Sequence, residues 1–328
     1  MSHNKTATPR IYSRIIGTGS YLPEKKITNA DLEKMVDTTD EWIVERTGIK
    51  CRHVMGKNET TTDMTQIAAE RAIEAAGIDK NKIQMIIVAT VTPETLFPNT
   101  ACRLQDHLGI SMGSCPAFDI SAACGGFIYA LSIADQYIRS GTIDCALVVG
   151  AESLTKFVDW TDRSTCILFS DAAGAVVLQA DQKPGIYSTH IHANGSYKDL
   201  IYLSGSTYDP SLPRYIGMRG NEVFKKAVTE LGNIVDETLA YNQVDKSEID
   251  WLVPHQANLR VITATAKKLN LPMSKVILTI EDQGNSSAAS IPLALDTGIR
   301  DGRIKPGELL LLEALGAGLV WGSALVRY

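Results

Sequence analysis

A six-residue stretch that occurs twice, in related form, indicates how this chain is built. The first copy is Ile78-Asp79-Lys80-Asn81-Lys82-Ile83, and the second is Val244-Asp245-Lys246-Ser247-Glu248-Ile249, 166 residues later (244 − 78). Each copy precedes a short apolar run. Because both stretches have the composition of a turn between a helix and a strand, they could also be alike by chance.

A second pair of similar stretches keeps the same order. Ile138-Arg139-Ser140-Gly141-Thr142-Ile143 and Ile299-Arg300-Asp301-Gly302-Arg303-Ile304 are 161 residues apart (299 − 138). The shared order and the near-equal offsets favour an internal duplication. The turn-forming residues 182–185 predict a boundary at mid-chain, with an N-terminal half over residues 1–180 and a C-terminal half over residues 181–328.

Short apolar runs alternate with longer amphipathic patterns along the chain. Apolar residues at three- and four-residue spacing over 65–76 and 127–138 predict helices. The apolar stretch 309–326 is interrupted by glycines and one glutamate, so it predicts two buried strands around a turn rather than a membrane span. This alternation is typical of an α/β fold with covered sheets. The runs that predict buried strands are 85–88, 146–149, 176–178 and 309–312.

The composition limits the class of protein. The chain has 328 residues, a formal net charge of −5 and no long basic run, which argues against general nucleic-acid binding. Residues 1–10 are polar and lack the apolar core of a signal peptide. The cysteines are too sparse for a disulfide framework and form no Cys-x-x-Cys pair. We therefore expect a soluble, cytoplasmic protein with six free thiols, at Cys51, Cys102, Cys115, Cys124, Cys145 and Cys166.

Cys124 stands in a context that favours chemistry. Residues 119–127 (Asp-Ile-Ser-Ala-Ala-Cys-Gly-Gly-Phe) predict a strand end, a turn of small residues and the start of a helix. Small neighbours permit close approach of a substrate, and a helix N-terminus favours a thiolate. Cys124 is therefore a candidate nucleophile. The alternative is a buried structural cysteine, which is our interpretation of the other five.

Three further segments could complete a site around that thiol. His255 follows the apolar run 251–253, although a lone histidine is more often a structural residue. Asn285 follows Gly284, a pair that most often forms only a turn. Gly316-Ala317-Gly318 could offer backbone N–H groups to an oxyanion or could be a plain hairpin turn. The 161-residue offset makes Asn285 the counterpart of Cys124.

Several other motifs are incomplete or missing. Gly17 and Gly19 lack the third glycine of a dinucleotide-binding fingerprint, and neither a Gly-x-Ser-x-Gly elbow nor a phosphate-binding loop occurs. His190 and His192 are two residues apart on a predicted strand without an adjacent acidic or thiol ligand set, so we expect no metal site there.

Taken together, the segments resemble the β-ketoacyl-acyl carrier protein synthase III family of thiolase-like condensing enzymes. The resemblance covers nearly the whole chain beyond residue 10. It implies a duplicated five-layered α/β/α/β/α sandwich that is usually a homodimer. The stretches that carry it are residues 16–23, 40–43, 46–49, 119–127, 254–258, 284–290 and 321–327.

The resemblance implies a decarboxylative condensation. An acetyl group would pass from acetyl-CoA to Cys124 and then join malonyl-acyl carrier protein, giving acetoacetyl-acyl carrier protein, CoA and CO2. His255 and Asn285 would stabilise the enolate formed by decarboxylation, and the backbone N–H groups of Cys124 and Ala317 would bind the thioester oxyanion. No metal or cofactor is implied, because acetyl-CoA is a substrate.

The resemblance also implies the substrate contacts. Leu315 and Ala317 depart from the phenylalanine and glycine common in the family, and Trp160 and Ser164 depart around the CoA entrance. Phe97 and Leu315 would line the acyl pocket, with Phe97 crossing a dimer interface. The implied CoA- and pantetheine-binding residues are Trp42, Arg46, Arg163, Asn221 and Asn258. The implied contacts to the acidic acyl carrier protein are Lys225, Arg260, Lys267 and Lys268.

The Cys–His–Asn set alone leaves alternatives open. Chalcone-type and quinolone-type synthases share it, whereas thiolases use a different set and chain-elongating synthases have histidine where Asn285 stands. A thioester hydrolase, or a scaffold without catalysis, would be a different class of protein. The basic residues predicted to face the carrier protein favour the synthase III branch.

Overall fold

The computed structural model describes residues 11–110, 113, 115–205, 209 and 211–328. Within these ranges the strands are β1 (Tyr12–Tyr21), β2 (Lys26–Thr28), β3 (Cys51–His53), β4 (Ile86–Ala89), β5 (Ala117–Ile120), β6 (Cys145–Ser153), β7 (Asp171–Asp181), β8 (Ile186–Ala193), β9 (Ile201–Leu203), β10 (Ile216–Met218), β11 (Trp251–Pro254), β12 (Leu309–Gly316) and β13 (Val320–Arg327).

The α-helices of the described residues alternate with these strands. They are α1 (Asn29–Leu32), α2 (Asp40–Thr47), α3 (Thr61–Ala76), α4 (Thr100–His107), α5 (Gly126–Arg139), α6 (Gly220–Asn242), α7 (Leu259–Lys268), α8 (Ile280–Gln283) and α9 (Ser290–Arg300). Short 3-10 turns precede α5 and α9, at Ala123–Gly125 and Ser287–Ala289.

Two sheets repeat the same strand order. The first sheet has the order β1-β7-β6-β4-β5, and the second has the order β8-β13-β12-β11. In the first sheet the pairs β6–β4 and β4–β5 are parallel, and in the second β12–β11 is parallel. A single parallel bridge between Leu252 and Val276 stands where β5 stands in the first sheet. The duplication inferred from sequence is therefore visible in the topology.

The helices form three layers around the two sheets. Helices α5 and α9 lie between the sheets and contact strands of both. Helices α3 and α4 cover the outer face of the first sheet, and α6, with α7 beside it, covers the second. Apolar side chains of α5, such as Phe127 and Leu131, belong to one core with Val148 of β6 and Leu312 of β12. The predicted five-layered α/β/α/β/α sandwich is confirmed.

The structure corrects one consequence of the sequence repeat. Helix α5 begins at Gly126 and α9 at Ser290, an offset of 164 (290 − 126) rather than 161. The offset falls from 164 at the start of these helices to 161 at their ends, because α9 has 11 residues and α5 has 14. The counterpart of Cys124 is therefore Ala288, and the prediction that it is Asn285 is wrong.

The other predicted elements agree with the structure. The four apolar runs lie in β4, β6, β7 and β12, and the two periodic segments lie in α3 and α5. The stretch 309–326 forms β12 and β13, joined at the predicted glycine turn. Among the described helices, none combines the length and the apolar run that a bilayer span requires. The boundary at residues 180 and 181 stays a prediction; β7 ends at Asp181.

Candidate active site

Cys124 lies where the polypeptide turns from β5 into α5. The residue before it, Ala123, has a φ of +44°, which is uncommon outside glycine. The end of β12 packs directly against this turn, because a Cβ placed on Gly316 would lie 2.5 Å from the Cys124 backbone nitrogen. Glycine at position 316 thus permits the close approach of β12 to the turn that holds Cys124 at the N-terminus of α5.

The environment of the Cys124 thiol favours its neutral form. Burial, with a smaller contribution from the negative charge of Glu152, raises the pKa of Cys124 to about 12. This direction is opposite to the one expected from the helix N-terminus, and its largest cause is the removal of the thiol from water. The resting thiol is therefore neutral.

His255 follows β11 and is held at two points. Its backbone N–H donates to the Glu313 carbonyl oxygen (2.8 Å), and its Nδ1 lies 2.6 Å from Ser290 Oγ. Ser290 Oγ also accepts from the Gln256 backbone N–H (3.3 Å), so its own proton is available for Nδ1. We therefore assign the imidazole proton to Nε2. Burial lowers the pKa of His255 to about 3, so the ring is a neutral donor.

Asn285 is fixed by its backbone and by its side-chain oxygen. Its N–H donates to the Leu168 carbonyl (3.0 Å), and its own carbonyl accepts from the Ser170 N–H (2.9 Å). Its Oδ1 accepts from the Ser287 N–H (3.0 Å), which orients the side-chain amide. The amide Nδ2 has only a long contact, 3.5 Å, with the Ala257 carbonyl. Asn285 therefore presents an N–H donor.

These three side chains open into one cavity of about 340 Å³. A neutral thiol, an Nε2–H group and an amide N–H group thus share one cavity. A second, mainly apolar cavity of about 250 Å³ also reaches Cys124 and includes Ala317, Phe157 and Leu203. Cys124 lies between the two cavities. The predicted substrate contacts in the first cavity are Trp42, Arg46, Asn221, Asn258, Arg260 and Leu315.

Comparisons with known proteins show the family to which this chain belongs. Residues 118–195 match the family model for 3-oxoacyl-[acyl-carrier-protein] synthase III, and residues 239–328 match the model for its C-terminal part. A β-ketoacyl-[acyl-carrier-protein] synthase III of Thioalkalivibrio sulfidiphilus is 59% identical over 322 residues, 97% of this chain and 99% of that protein. The chain belongs to the β-ketoacyl-[acyl-carrier-protein] synthase III family. It is a condensing acyltransferase.

Solved structures of synthase III proteins and their relatives share the fold. The crystal structure of a 3-oxoacyl-[acyl-carrier-protein] synthase III from Aquifex aeolicus is 48% identical, with a TM-score of 0.91, covering 96% of this chain and 100% of that one. A priming β-ketosynthase from a polyketide biosynthetic pathway is 35% identical, with a TM-score of 0.93, covering 99% of this chain and 98% of that one.

Two of the predicted CoA-binding residues, Arg46 and Arg163, lie over the ring of a third, Trp42. Arg46 Cζ lies 4.2 Å and Arg163 Cζ lies 5.1 Å from the centroid of the Trp42 ring, so both guanidinium groups stack on the indole. Arg163 is also tied to the Asp37 carbonyl (2.8 Å). Asn258 connects two helices, since its Oδ1 accepts from the Arg260 N–H (2.8 Å) and its Nδ2 donates to the Arg46 carbonyl (2.9 Å).

The predicted carrier-binding cations are not equivalent in the synthase III structure. Lys225, Arg260 and Lys267 are exposed, and Arg260 lies at the cavity with its Cζ 5.3 Å from the Phe224 ring centroid. Lys268 instead forms an ion pair with Asp236 (2.7 Å). Its charge is therefore partly neutralised within the chain.

Only one of the two predicted acyl-pocket residues lines a cavity. Leu315 is buried and lines the cavity that contains Cys124, His255 and Asn285. Phe97 lies outside both cavities of its own chain, and 85% of it is exposed.

Sequence reasoning missed four polar residues of the synthase III site. Ser290 and Ser287 lie in the segment 284–290, but the residues that they hydrogen-bond, His255 and Glu152, are distant in sequence. Glu152 and Glu313 are buried acids within apolar strands, a signal that could have been noticed. Glu313 lines the main cavity, its Oε2 has no hydrogen-bond partner within the described structure, and burial raises its pKa to about 8.

Other parts of the described structure show no comparable constellation. His190 and His192 do have an acid beside them, because Glu237 accepts from both rings (3.2 and 2.7 Å). The described residues nevertheless contain no group of three or more metal-ligating side chains placed to hold an ion. A larger hollow of about 550 Å³ near Asp236 and Lys275 contains none of the predicted site residues.

Proposed function

We propose that this chain transfers a short acyl group from acyl-CoA, acetyl-CoA above all, to Cys124 and joins it to malonyl-acyl carrier protein. The products would be acetoacetyl-acyl carrier protein, CoA and CO2, which initiates type II fatty acid synthesis. The observation that carries this proposal is the cavity shared by the Cys124 thiol, His255 Nε2–H and Asn285 Nδ2–H. A covalent thioester divides the condensation into two easier steps.

In the first step, the sulfur of Cys124 attacks the acyl carbonyl of acyl-CoA. The carbonyl oxygen becomes negative in the tetrahedral intermediate, and the backbone N–H groups of Cys124 and Ala317 stabilise it. The bond to the CoA sulfur then breaks, CoA leaves with the proton of the thiol, and the acyl group remains on Cys124. The apolar cavity beside Cys124 supports this step, because it can hold a short acyl chain.

In the second step, malonyl-acyl carrier protein replaces CoA in the main cavity. Loss of CO2 leaves an electron pair that is shared between carbon and the thioester oxygen. His255 and Asn285 donate to that oxygen, and each donor of this kind contributes ~2.7–4 kcal/mol. The carbon then attacks the acyl group, the Cys124 sulfur leaves as a thiolate, and a proton taken up from solvent restores the thiol. A neutral imidazole suits this role because it donates a hydrogen bond without adding a buried charge.

An assay with several primers tests this function. Acetyl-, propionyl- and longer acyl-CoA are each incubated with malonyl-acyl carrier protein, and the products are identified by mass spectrometry. We expect acetoacetyl-acyl carrier protein as the main product. Because Lys225, Arg260 and Lys267 are exposed and Arg260 lies at the cavity, malonyl on the carrier should react faster than malonyl-CoA, and added salt should reduce that preference. Free acetate as the only product would indicate a hydrolase instead.

We further propose that the chain is a homodimer in the cytoplasm. The adjacent apolar side chains of Leu96 and Phe97 are 76% and 85% exposed, which favours burial against another copy. The six cysteines are all free, as expected for a reducing compartment. Sedimentation equilibrium should give twice the mass of one chain, and Phe97→Asp should shift the wild-type equilibrium toward the monomer. A monomeric wild-type protein at high concentration would contradict the dimer.

A further inference from the structure

A buried carboxyl group connects two walls of the apolar cavity beside Cys124. Glu152 is the next-to-last residue of β6 and is fully buried. On one side, its Oε2 accepts from Thr92 Oγ1 (2.6 Å) and from the Val91 N–H (3.2 Å). On the other side, its Oε1 accepts from Ser287 Oγ (3.2 Å). Val91, Thr92 and Ser287 all line that cavity, so one side chain binds residues of two separate loops.

The directions of these hydrogen bonds require an acceptor at the position of Glu152. Thr92 Oγ1 itself accepts from the Ser153 backbone N–H (2.7 Å), so the proton of its hydroxyl group is directed to Glu152. The backbone N–H of Val91 can only donate. Removal of the Glu152 side chain would therefore deprive buried donors of both loops of their partner, which is costly.

The loop residue that Glu152 binds has an uncommon backbone conformation. Ser287 has a φ of +50°, in the left-handed region that residues other than glycine rarely adopt. In this conformation its N–H donates to Asn285 Oδ1 (3.0 Å). Strained residues of this kind persist only where the surrounding contacts hold them. The hydrogen bond from Ser287 Oγ to Glu152 is one such contact.

The orientation of the Asn285 amide depends on that N–H group. The backbone of Asn285 is bound to Leu168 and Ser170, but these bonds leave its side-chain torsions free. The Ser287 N–H selects the orientation in which Oδ1 is the acceptor toward the loop and Nδ2 remains as the donor. A half-turn of the amide would place an acceptor oxygen, instead of a donor, against the negative thioester oxygen.

We propose that Glu152 and Ser287 are positioning residues for decarboxylation, in which Glu152 holds Ser287 and Ser287 orients the Asn285 amide. The inference rests on the proposed role of Asn285 as a donor to the enolate. Neither positioning residue has to touch the substrate or to exchange a proton. Both should therefore affect the release of CO2 rather than the acylation of Cys124.

Ser287→Ala tests these contacts without removing the carboxyl group. The variant is first acylated fully with labelled acetyl-CoA, and the release of CO2 from malonyl-acyl carrier protein is then measured. We expect CO2 release to slow by about 10- to 100-fold, because a small misplacement of a catalytic donor has an effect of that order. The rate of acylation and the KM for malonyl-acyl carrier protein should stay within about threefold of the wild-type values.

A double-mutant cycle shows whether Ser287 acts through Asn285. In the Asn285→Ala background, Ser287→Ala should change the rate of CO2 release by less than about twofold, because the group that Ser287 orients is already missing. The effects of two independent residues would multiply instead. A further loss of about 10-fold in the double variant would therefore contradict the proposal.

Variants of Glu152 test the other contact. Glu152→Ala should slow CO2 release as Ser287→Ala does. Glu152→Gln should restore most of the rate, since its carbonyl oxygen can accept from Thr92 and its amide can donate to Ser287 Oγ. Ser286→Ala is the matched control and should release CO2 at the wild-type rate. Ser286 is a buried serine of the same loop, and its hydroxyl has no hydrogen-bond partner among the residues that the structure describes.

Three further results would overturn the proposal. The first is CO2 release at the wild-type rate by Ser287→Ala, and the second is an equal loss of acylation and CO2 release, which would indicate a packing defect. The third is Glu152→Gln as slow as folded Glu152→Ala. Thermal unfolding identifies any variant that does not fold, and Ser287→Ala decides the question if Glu152→Ala is one. Full-rate CO2 release by Asn285→Ala would instead contradict the proposed function itself.

Discussion

Replacement of Cys124 by serine should reduce acyl transfer from acetyl-CoA by ~1000-fold or more. The thiol is the nucleophile in our mechanism, and a hydroxyl group is harder to deprotonate than a thiol in the same buried turn. The retained acyl label after incubation with labelled acetyl-CoA measures the effect directly. The protein should still fold, because the exchange changes only one side-chain atom.

Cys102→Ser is the matched control for this variant. Cys102 is exposed on α4, and its Sγ lies 3.5 Å from the Ala117 carbonyl. It should retain the full label, and both variants should unfold at the temperature of the wild type. Wild-type labelling of Cys124→Ser would exclude Cys124 as the acyl carrier and would leave another thiol as the nucleophile.

Loss of either enolate donor should separate the two half-reactions. His255→Ala and Asn285→Ala should each leave acylation of Cys124 nearly unchanged but slow the release of CO2 from malonyl-acyl carrier protein by about 100- to 1000-fold. The reason is that negative charge collects on the malonyl thioester oxygen only during decarboxylation. Labelled CO2 and labelled acyl-enzyme, measured on the same sample, give both rates.

The pH dependence of the second step provides an independent test. Because burial lowers the pKa of His255 to about 3, the ring stays neutral as the pH falls through the usual histidine range. CO2 release should therefore show no titration near pH 6.5, the ordinary pKa of histidine. Asn242→Ala is a suitable control, since that side chain binds Ser188 and Thr238 instead of the cavity residues. Full-rate CO2 release by His255→Ala would contradict the donor role.

Features that arise from neighbouring residues could be predicted from the sequence. The apolar runs at 85–88 and 309–312 became buried strands, and the small-residue turn around Cys124 became the start of α5. The order of two weak repeats was enough to predict two similar halves. Such features are encoded locally, because periodicity and turn residues act over only a few positions.

Relations between distant segments could not be predicted in the same way. The counterpart of Cys124 was misplaced by three residues because the sequence does not show that α9 is shorter than α5. The pairing of Lys268 with Asp236 depends on how α6 and α7 pack. A cation with no acidic residue near it in the sequence can therefore be partly neutralised in the folded chain.

The sequence by itself determined the alternation of strands and helices, the duplication, and the cysteine, histidine and asparagine of the site. Only the tertiary structure decided what surrounds them. It brought Ser287 within hydrogen-bond distance of Glu152, and it desolvated the thiol that a helix N-terminus alone would have activated. The physical reason is that hydrogen-bond geometry and desolvation depend on which distant segments meet, whereas secondary structure depends mainly on adjacent residues.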